Sequence, residues 1–252
     1  MAGRLGVGGL RVVPSEVVKG VTLVRHAQAE SNVAGAVSHA AYRSEDWFDA
    51  RVTALGEEQA RALNARLRAA GPMDRFEVVL TSPLSRAIQT AAIAFDGCPA
   101  PVVAHEGCRE RLGVNPCDRR RTVTELRERF AWVDFDAAMV GAPDADALWT
   151  PDVREAREDI QARFIAFLGD LVRRPEREIA VVTHSSFLYM GLELFAGTET
   201  DSPEVTDATR RWFENCEFRR FVVSDSMLAP EALSVQPPTE EARKHLAAQA
   251  PP

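Results

Sequence analysis

Lysine is almost missing from this chain of 252 residues. It stands only at Lys19 and Lys244, so the positive charge is nearly all guanidinium. The formal charge of −7 argues against a general nucleic-acid binder, which would carry a net basic face. Cysteine is scarce too: Cys98, Cys108, Cys117 and Cys216 form no CxxC pair and have no histidine at zinc-finger spacing. Reduced thiols in a reducing, cytoplasmic compartment are therefore expected. No apolar run is long enough to span a bilayer, so no membrane partner is expected. The first residues, Met1 to Gly9, have too short an apolar stretch for a secretory signal, and a first strand near Gly20 leaves little room for a transit peptide. No Asp/His cluster has metal-ligand spacing, and no internal repeat is present.

What is there reads as one α/β domain. Apolar residues make up 46% and charged ones 27%, and the length is ample for a full core. Three apolar runs, Val21 to Val24, Val78 to Thr81 and Ile179 to Thr183, have the character of buried parallel strands. Helical spacing follows or precedes each: Ala60, Leu63 and Leu67; Ala87, Ile88, Ala91, Ala92 and Phe95; Ala156, Ile160, Phe164, Phe167 and Leu171. This rhythm predicts a doubly wound, mostly parallel sheet flanked by helices. Phe218 to Val223 reads as a late strand at an edge, with antiparallel pairing open. Between 113 and 151 the periodicity dissolves, as in an inserted lid over the strand ends. The expected division is a flexible N-terminus over 1–18, the domain over 19–228 and a flexible Pro/Ala-rich tail over 229–252.

Polar residues gather where the three strands end. The first strand runs into Arg25-His26 and the small polar stretch Ala27 to Asn32. The second runs into Ser82-Pro83-Leu84-Ser85-Arg86, where Ser82 reads as N-cap and Pro83 as the first helical residue, placing Arg86 in the first turn. The third ends in Thr183-His184-Ser185-Ser186. Parallel strands align their C-terminal ends, so Arg25, His26, Arg86 and His184 should converge on one cavity. Two guanidinium groups and two imidazoles suit a phosphate dianion, with one imidazole free to attack.

In order and spacing, Arg25-His26, the segment Ser82 to Ala91 and Thr183-His184 resemble the histidine phosphatase superfamily, also called phosphoglycerate mutase-like. The resemblance covers roughly Gly20 to Val223. It implies that His26 is transiently phosphorylated, that Arg25, Arg86 and His184 hold the phosphoryl oxygens, and that Asn32 adds a polar contact. It also implies an acid within Cys108-Arg109-Glu110-Arg111-Leu112, which assigns that role to Glu110. Ala27 stands where the family usually has Gly, and Ser185-Ser186 replaces a Gly-containing pair, so the loops must turn with small side chains. These departures, with 113–121 and Asn215-Cys216-Glu217, resemble the plant and fungal phosphomutase-like branch of broad-specificity phosphatases.

The expected chemistry is metal-independent hydrolysis of a phosphomonoester, with neutral His26 attacking, His184 cationic and Glu110 protonating the leaving oxygen. No cofactor is expected, and the partner is a small phosphorylated substrate of open identity. Arg119 to Arg121 could meet further acidic groups of that substrate, though the run reads more readily as a solvated face. Trp132, Phe135 and Trp149 are candidate pocket walls, with packed core the commoner reading. A mutase uses the same residues, but the family's true mutases carry Trp just before the loop asparagine, and Ser31 stands there. A silent phospho-ligand binding module would be signalled by loss of His26 or Glu110, and both are present. Oligomeric state stays open.

Overall fold

Five strands form a single sheet in the order β3-β2-β4-β1-β5 in the computed structural model, which describes residues 17–137, 139, 142–195 and 208–228. They are β1 (Val18–Arg25), β2 (Val78–Thr81), β3 (Val102–Ala104), β4 (Glu178–Thr183) and β5 (Phe218–Ser224). β1, β2, β3 and β4 run parallel, and β5 closes one edge antiparallel to β1. The expected mostly parallel, doubly wound sheet is therefore present. The two flexible ends foreseen at 1–18 and 229–252 lie almost wholly outside the described residues.

Alternation along the central strands sorts the core into two layers. Val21, Leu23, Ile179 and Val181 face the helices α5 (Arg157–Arg173) and α6 (Ser185–Leu192), packing on Phe164, Phe167 and Phe187. Val24, Val79, Ala180 and Val182 face the opposite side, against Ala60, Leu63 and Leu67 of α2 (Ala54–Ala69) and Ala87 and Ala91 of α3 (Ser85–Ala94). Each of these central strands is buried on both faces, which is why the runs read as continuous rather than alternating. β3 has only three residues, too few for an apolar run to stand out.

Register then fixes the site. Arg25 pairs with Thr183 and Thr81 with Val182, so β1, β2 and β4 end level. Two further bonds continue the ladder beyond the strands, from His26 N–H to the Thr183 carbonyl (2.9 Å) and from Ser82 N–H to the Val182 carbonyl (3.0 Å).

The start of α3 differs from the expected cap. The helix begins at Ser85 after Leu84, two residues later than a Ser82 cap would place it. Ser82 is held instead by His184, and the anion at the helix start is Asp49. Its carboxylate accepts from Ser85 N–H at 2.8 Å and from the Ser85 hydroxyl at 2.5 Å. Arg86 still falls in the first turn.

The segment 113–151 is tied across its base. Val114 N–H donates to the Thr150 carbonyl (2.8 Å), and Gly113 sits at φ 81° where a Cβ would strike the Val153 carbonyl. Within it, α4 (Val123–Arg129) is capped by Thr122 and Glu125 in a capping box. Val123, Leu126, Val133 and Phe135 pack with Ile88 and Ala104 into a third core cluster beside β3. Arg119–Arg121 is not a solvated face. Arg120 is buried in an ion pair with Glu106 and among loop carbonyls, Arg119 pairs with Glu45, and Arg121 pairs with Asp49. The run fastens the segment to the body, because a guanidinium can satisfy several carbonyls that the irregular chain leaves without partners. No helix among the described residues is long and apolar enough to cross a membrane.

Candidate active site

At the level end of the three strands lies a cavity of about 230 Å³ whose lining includes Arg25, His26, Asn32, Tyr42, Arg86 and Glu110. His26 is held at both ring nitrogens. Nδ1 lies 2.6 Å from the Ala27 carbonyl, which can only accept, so Nδ1 carries the proton. Nε2 is then left with its lone pair, which meets the Arg86 Nε–H at 3.2 Å. Burial first, then the charges of Arg86 and Arg25, hold the imidazole well below the ordinary histidine range. The ring is neutral at physiological pH, with a nucleophilic nitrogen facing a guanidinium.

The loop beyond His26 accepts Ala27 without strain. Ala27 is fully buried, its N–H donates to the Thr90 hydroxyl at 3.0 Å, and it is not among the non-glycine residues of positive φ. A small side chain suffices there, so glycine's freedom is not needed. Ser185 and Ser186 likewise form the first turn of α6 in helical conformation.

Arg86 is buried and fully engaged. Beyond His26 it donates to the Cys117 carbonyl and, at 2.9 Å, to the Asp118 carboxylate. Burial opposes its charge, but the ion pair with Asp118 carries its pKa above the ordinary value. Asp118 also pairs with Arg154 at 2.9 Å, so one carboxylate links two cavity-lining cations. Arg25 donates from Nη1 to the Phe213 carbonyl at 2.7 Å and lines the cavity, with burial lowering its pKa from the usual arginine value. Asn32 reaches the cavity too. Its Oδ1 is spent on the Ala29 N–H at 2.9 Å, which leaves the amide N–H₂ for a ligand.

Glu110 is neither a surface carboxylate nor a partner of Arg109. It is buried at the start of α6, where its oxygens accept from the N–H groups of Arg111 (2.9 Å), Phe187 (3.1 Å) and Ser186 (3.3 Å). Arg109 is entirely buried elsewhere, paired with Glu106 and Asp146. His184 packs against His26 with ring centroids 4.9 Å apart and its Nε2 2.7 Å from the Ser82 hydroxyl. Burial, then Arg86 and His26, depress its pKa well below the usual range, so it is neutral rather than cationic as expected. Two buried imidazoles beside two guanidinium groups cannot both take a proton cheaply.

The strand-end residues are thus brought together, Glu110 with them, while His184 sits beneath His26 outside the cavity lining. Trp132, Phe135 and Trp149 are not walls. Phe135 is core, Trp132 is half-exposed, and the Trp149 indole donates to the Asn115 carbonyl. The aromatic wall is Tyr42, which the sequence did not signal. Nor did it signal Arg154, and Asp118 stood out only as part of 113–121; their contacts arise from folding rather than from local pattern. Asn215 had a faint signal in the Asn-Cys-Glu triplet, and its amide donates to the His26 carbonyl at 2.9 Å.

Comparison with known proteins bears on the family and the fold. Residues 21–226 match the histidine phosphatase superfamily (branch 1). Phosphoglycerate mutase-like protein 2 of Arabidopsis thaliana is 38% identical, covering 86% of this chain and 77% of that protein. Phosphoglycerate mutase-like protein 1 of the same plant is 37% identical over 89% and 88%. Among solved structures, a putative α-ribazole-5′-P phosphatase of Escherichia coli superposes with a TM-score of 0.52 at 18% identity, covering 82% of this chain and 91% of that one. A mycobacterial hydrolase gives 0.51 at 20% identity, over 92% and 98%. At such identities the structures show a shared fold alone. The family match over 21–226, carried by relatives of high coverage, establishes that the chain belongs to the histidine phosphatase superfamily, among its phosphoglycerate mutase-like members.

Proposed function

We propose that the protein is a metal-independent phosphatase that hydrolyses a small phosphomonoester through a phosphohistidine at His26. The observation that carries this reading is the locked tautomer of His26, with Nδ1–H on the Ala27 carbonyl and the Nε2 lone pair facing Arg86. The phosphoryl group takes the place of that Arg86 contact, and Arg25, Arg86 and the Asn32 amide receive its oxygens. The buried Nδ1 of His184, without a hydrogen-bond partner among the described residues, is the atom left for a further oxygen. Nε2 of His26 bonds to phosphorus as the ester P–O bond breaks, and the Glu110 carboxyl gives its proton to the leaving oxygen. Glu110 then takes a proton from water, whose oxygen displaces Nε2 and releases phosphate. Arg25 and Arg86 supply the positive charge that the transition state needs.

A mutase would return the phosphoryl group to the bound product instead of passing it to water, and the names of the plant relatives keep that reading alive. Ser31, almost fully buried in place of the mutases' tryptophan, favours the phosphatase. The test is incubation with 4-nitrophenyl phosphate in EDTA. Steady release of phosphate and an acid-labile, base-stable phosphoenzyme are expected, and His26→Ala should abolish the phosphoenzyme and cut turnover by at least about a thousandfold. Folded protein that shows neither activity sinks the enzyme reading. Transfer to a phosphoglycerate acceptor in preference to water would replace phosphatase by mutase.

A further inference from the structure

Glu110 stands on a stretch, 109–115, with no regular secondary structure, and something must hold its backbone. The holder is Arg163, on α5. Its guanidinium is buried and donates to three carbonyls of this stretch and its approach: Gly107 at 3.0 Å, Arg109 at 2.8 Å and Glu110 itself at 3.1 Å. Glu155 seats the other side of the fork, accepting from Nε at 2.9 Å and from Nη2 at 2.8 Å. The same carboxylate accepts from Leu112 N–H at 2.9 Å, so the Arg163–Glu155 pair grips the chain on both sides of Glu110. Arg163 also lies over the Phe187 ring, 4.9 Å from its centroid, and Phe187 N–H is one of the donors that hold the Glu110 carboxylate. A closed circuit results: Arg163 to the Glu110 backbone, the Glu110 side chain to Phe187, and the Phe187 ring back to Arg163.

We propose that Arg163 is the positioning residue for the Glu110 carboxyl, setting where the acid meets the leaving oxygen. Only arginine has a planar fork with enough donors for three carbonyls and a carboxylate, so a lysine keeps the charge and loses the geometry. The inference rests on the reading of Glu110 as the acid. Its signature is selective: proton donation matters for a poor alkoxide leaving group and hardly at all for 4-nitrophenolate, which departs unaided.

The experiment compares kcat/KM for 4-nitrophenyl phosphate and glycerol 2-phosphate in wild type, Arg163→Lys and Glu110→Gln. Arg163→Lys is expected to lose about a hundredfold on the alkyl ester and less than about threefold on the aryl ester, in the same sense as Glu110→Gln. Equal losses on both esters, or none on either, would mean that Arg163 only supports the fold, and the proposal falls while Glu110 keeps its role. If Glu110→Gln itself shows no leaving-group selectivity, the acid assignment fails and this proposal with it. Should Arg163→Lys not fold, Glu155→Gln decides, since it keeps the guanidinium and weakens its seat. It must show the same selectivity.

Discussion

His26 and His184 are the residues on which the pH behaviour of the protein turns, and the proposed chemistry runs through the same pair. Each is buried beside guanidinium groups and held neutral, with its folded-state pKa well below that of an unfolded histidine. The unfolded chain therefore takes up protons at a higher pH than the native one. The stability that the two rings contribute is complete above about pH 6.5, and it is lost as pH falls from there toward the depressed native values. Each ring should lower stability by about 1.4 kcal/mol per pH unit through that window. Urea unfolding at pH 7, 6 and 5 would read this slope, and His184→Asn should remove about half of the histidine part. A flat profile in wild type would mean that the rings are charged in the native state. Ala27 shows what a single residue can conceal. In the sequence it departs from the family's usual glycine, yet its negative φ and full burial make alanine as serviceable as glycine there.

Elements whose residues are buried on both faces were legible, and those that depend on a distant partner were not. β1, β2 and β4 stood out as unbroken apolar runs, and α2 and α5 as helical stripes, because burial alone dictated their residues. β3 leaves no mark in the sequence, since three residues carry no period. Ser82 is a good cap for α3 by local rule, whereas Asp49, far away in sequence, supplies the acceptors. The same holds at the site. Arg25, His26, Arg86 and His184 can be read from strand ends, while nothing in the sequence sets Arg163 apart from other charges on an amphipathic helix. The junction of α2 with the first loop gives the test at this scale. Gly56 lets the helix start come so close that a Cβ would lie 2.2 Å from the Gln28 carbonyl oxygen, to which Thr53 N–H donates at 2.9 Å. Alanine in an ordinary helix would stabilise by up to about 1 kcal/mol. Here Gly56→Ala should instead cost about 1–3 kcal/mol in urea unfolding, as overpacking against backbone does, and should lower turnover, since Gln28 lies two residues from His26.

For the whole molecule, the cavity is the place where the two layers of the core meet. Arg86 comes from α3 on one face of the sheet, and two of the three N–H groups that hold Glu110 come from α6 on the other. An oxyanion seated among Arg25, Arg86 and His26 would bind only when both layers are in place, so its binding free energy becomes folding free energy. At a concentration of one hundred times its dissociation constant, such a ligand adds about 2.7 kcal/mol. For a domain of this size that amounts to a rise in Tm of about 5–10 °C. Orthovanadate, which can take the five-coordinate shape of the transferring phosphoryl group, should produce this shift and inhibit competitively. EDTA should leave turnover unchanged, since the proposed mechanism assigns the charge neutralisation to the guanidinium groups. Arg86→Ala will lower the baseline Tm because it removes one of the two cations paired with the buried Asp118 and the donor to the Cys117 carbonyl, so the measured quantity is the vanadate-induced shift and not Tm itself. That shift should vanish in the variant. A shift that survives Arg86→Ala would place the oxyanion elsewhere and separate the stability of the fold from the occupancy of this cavity.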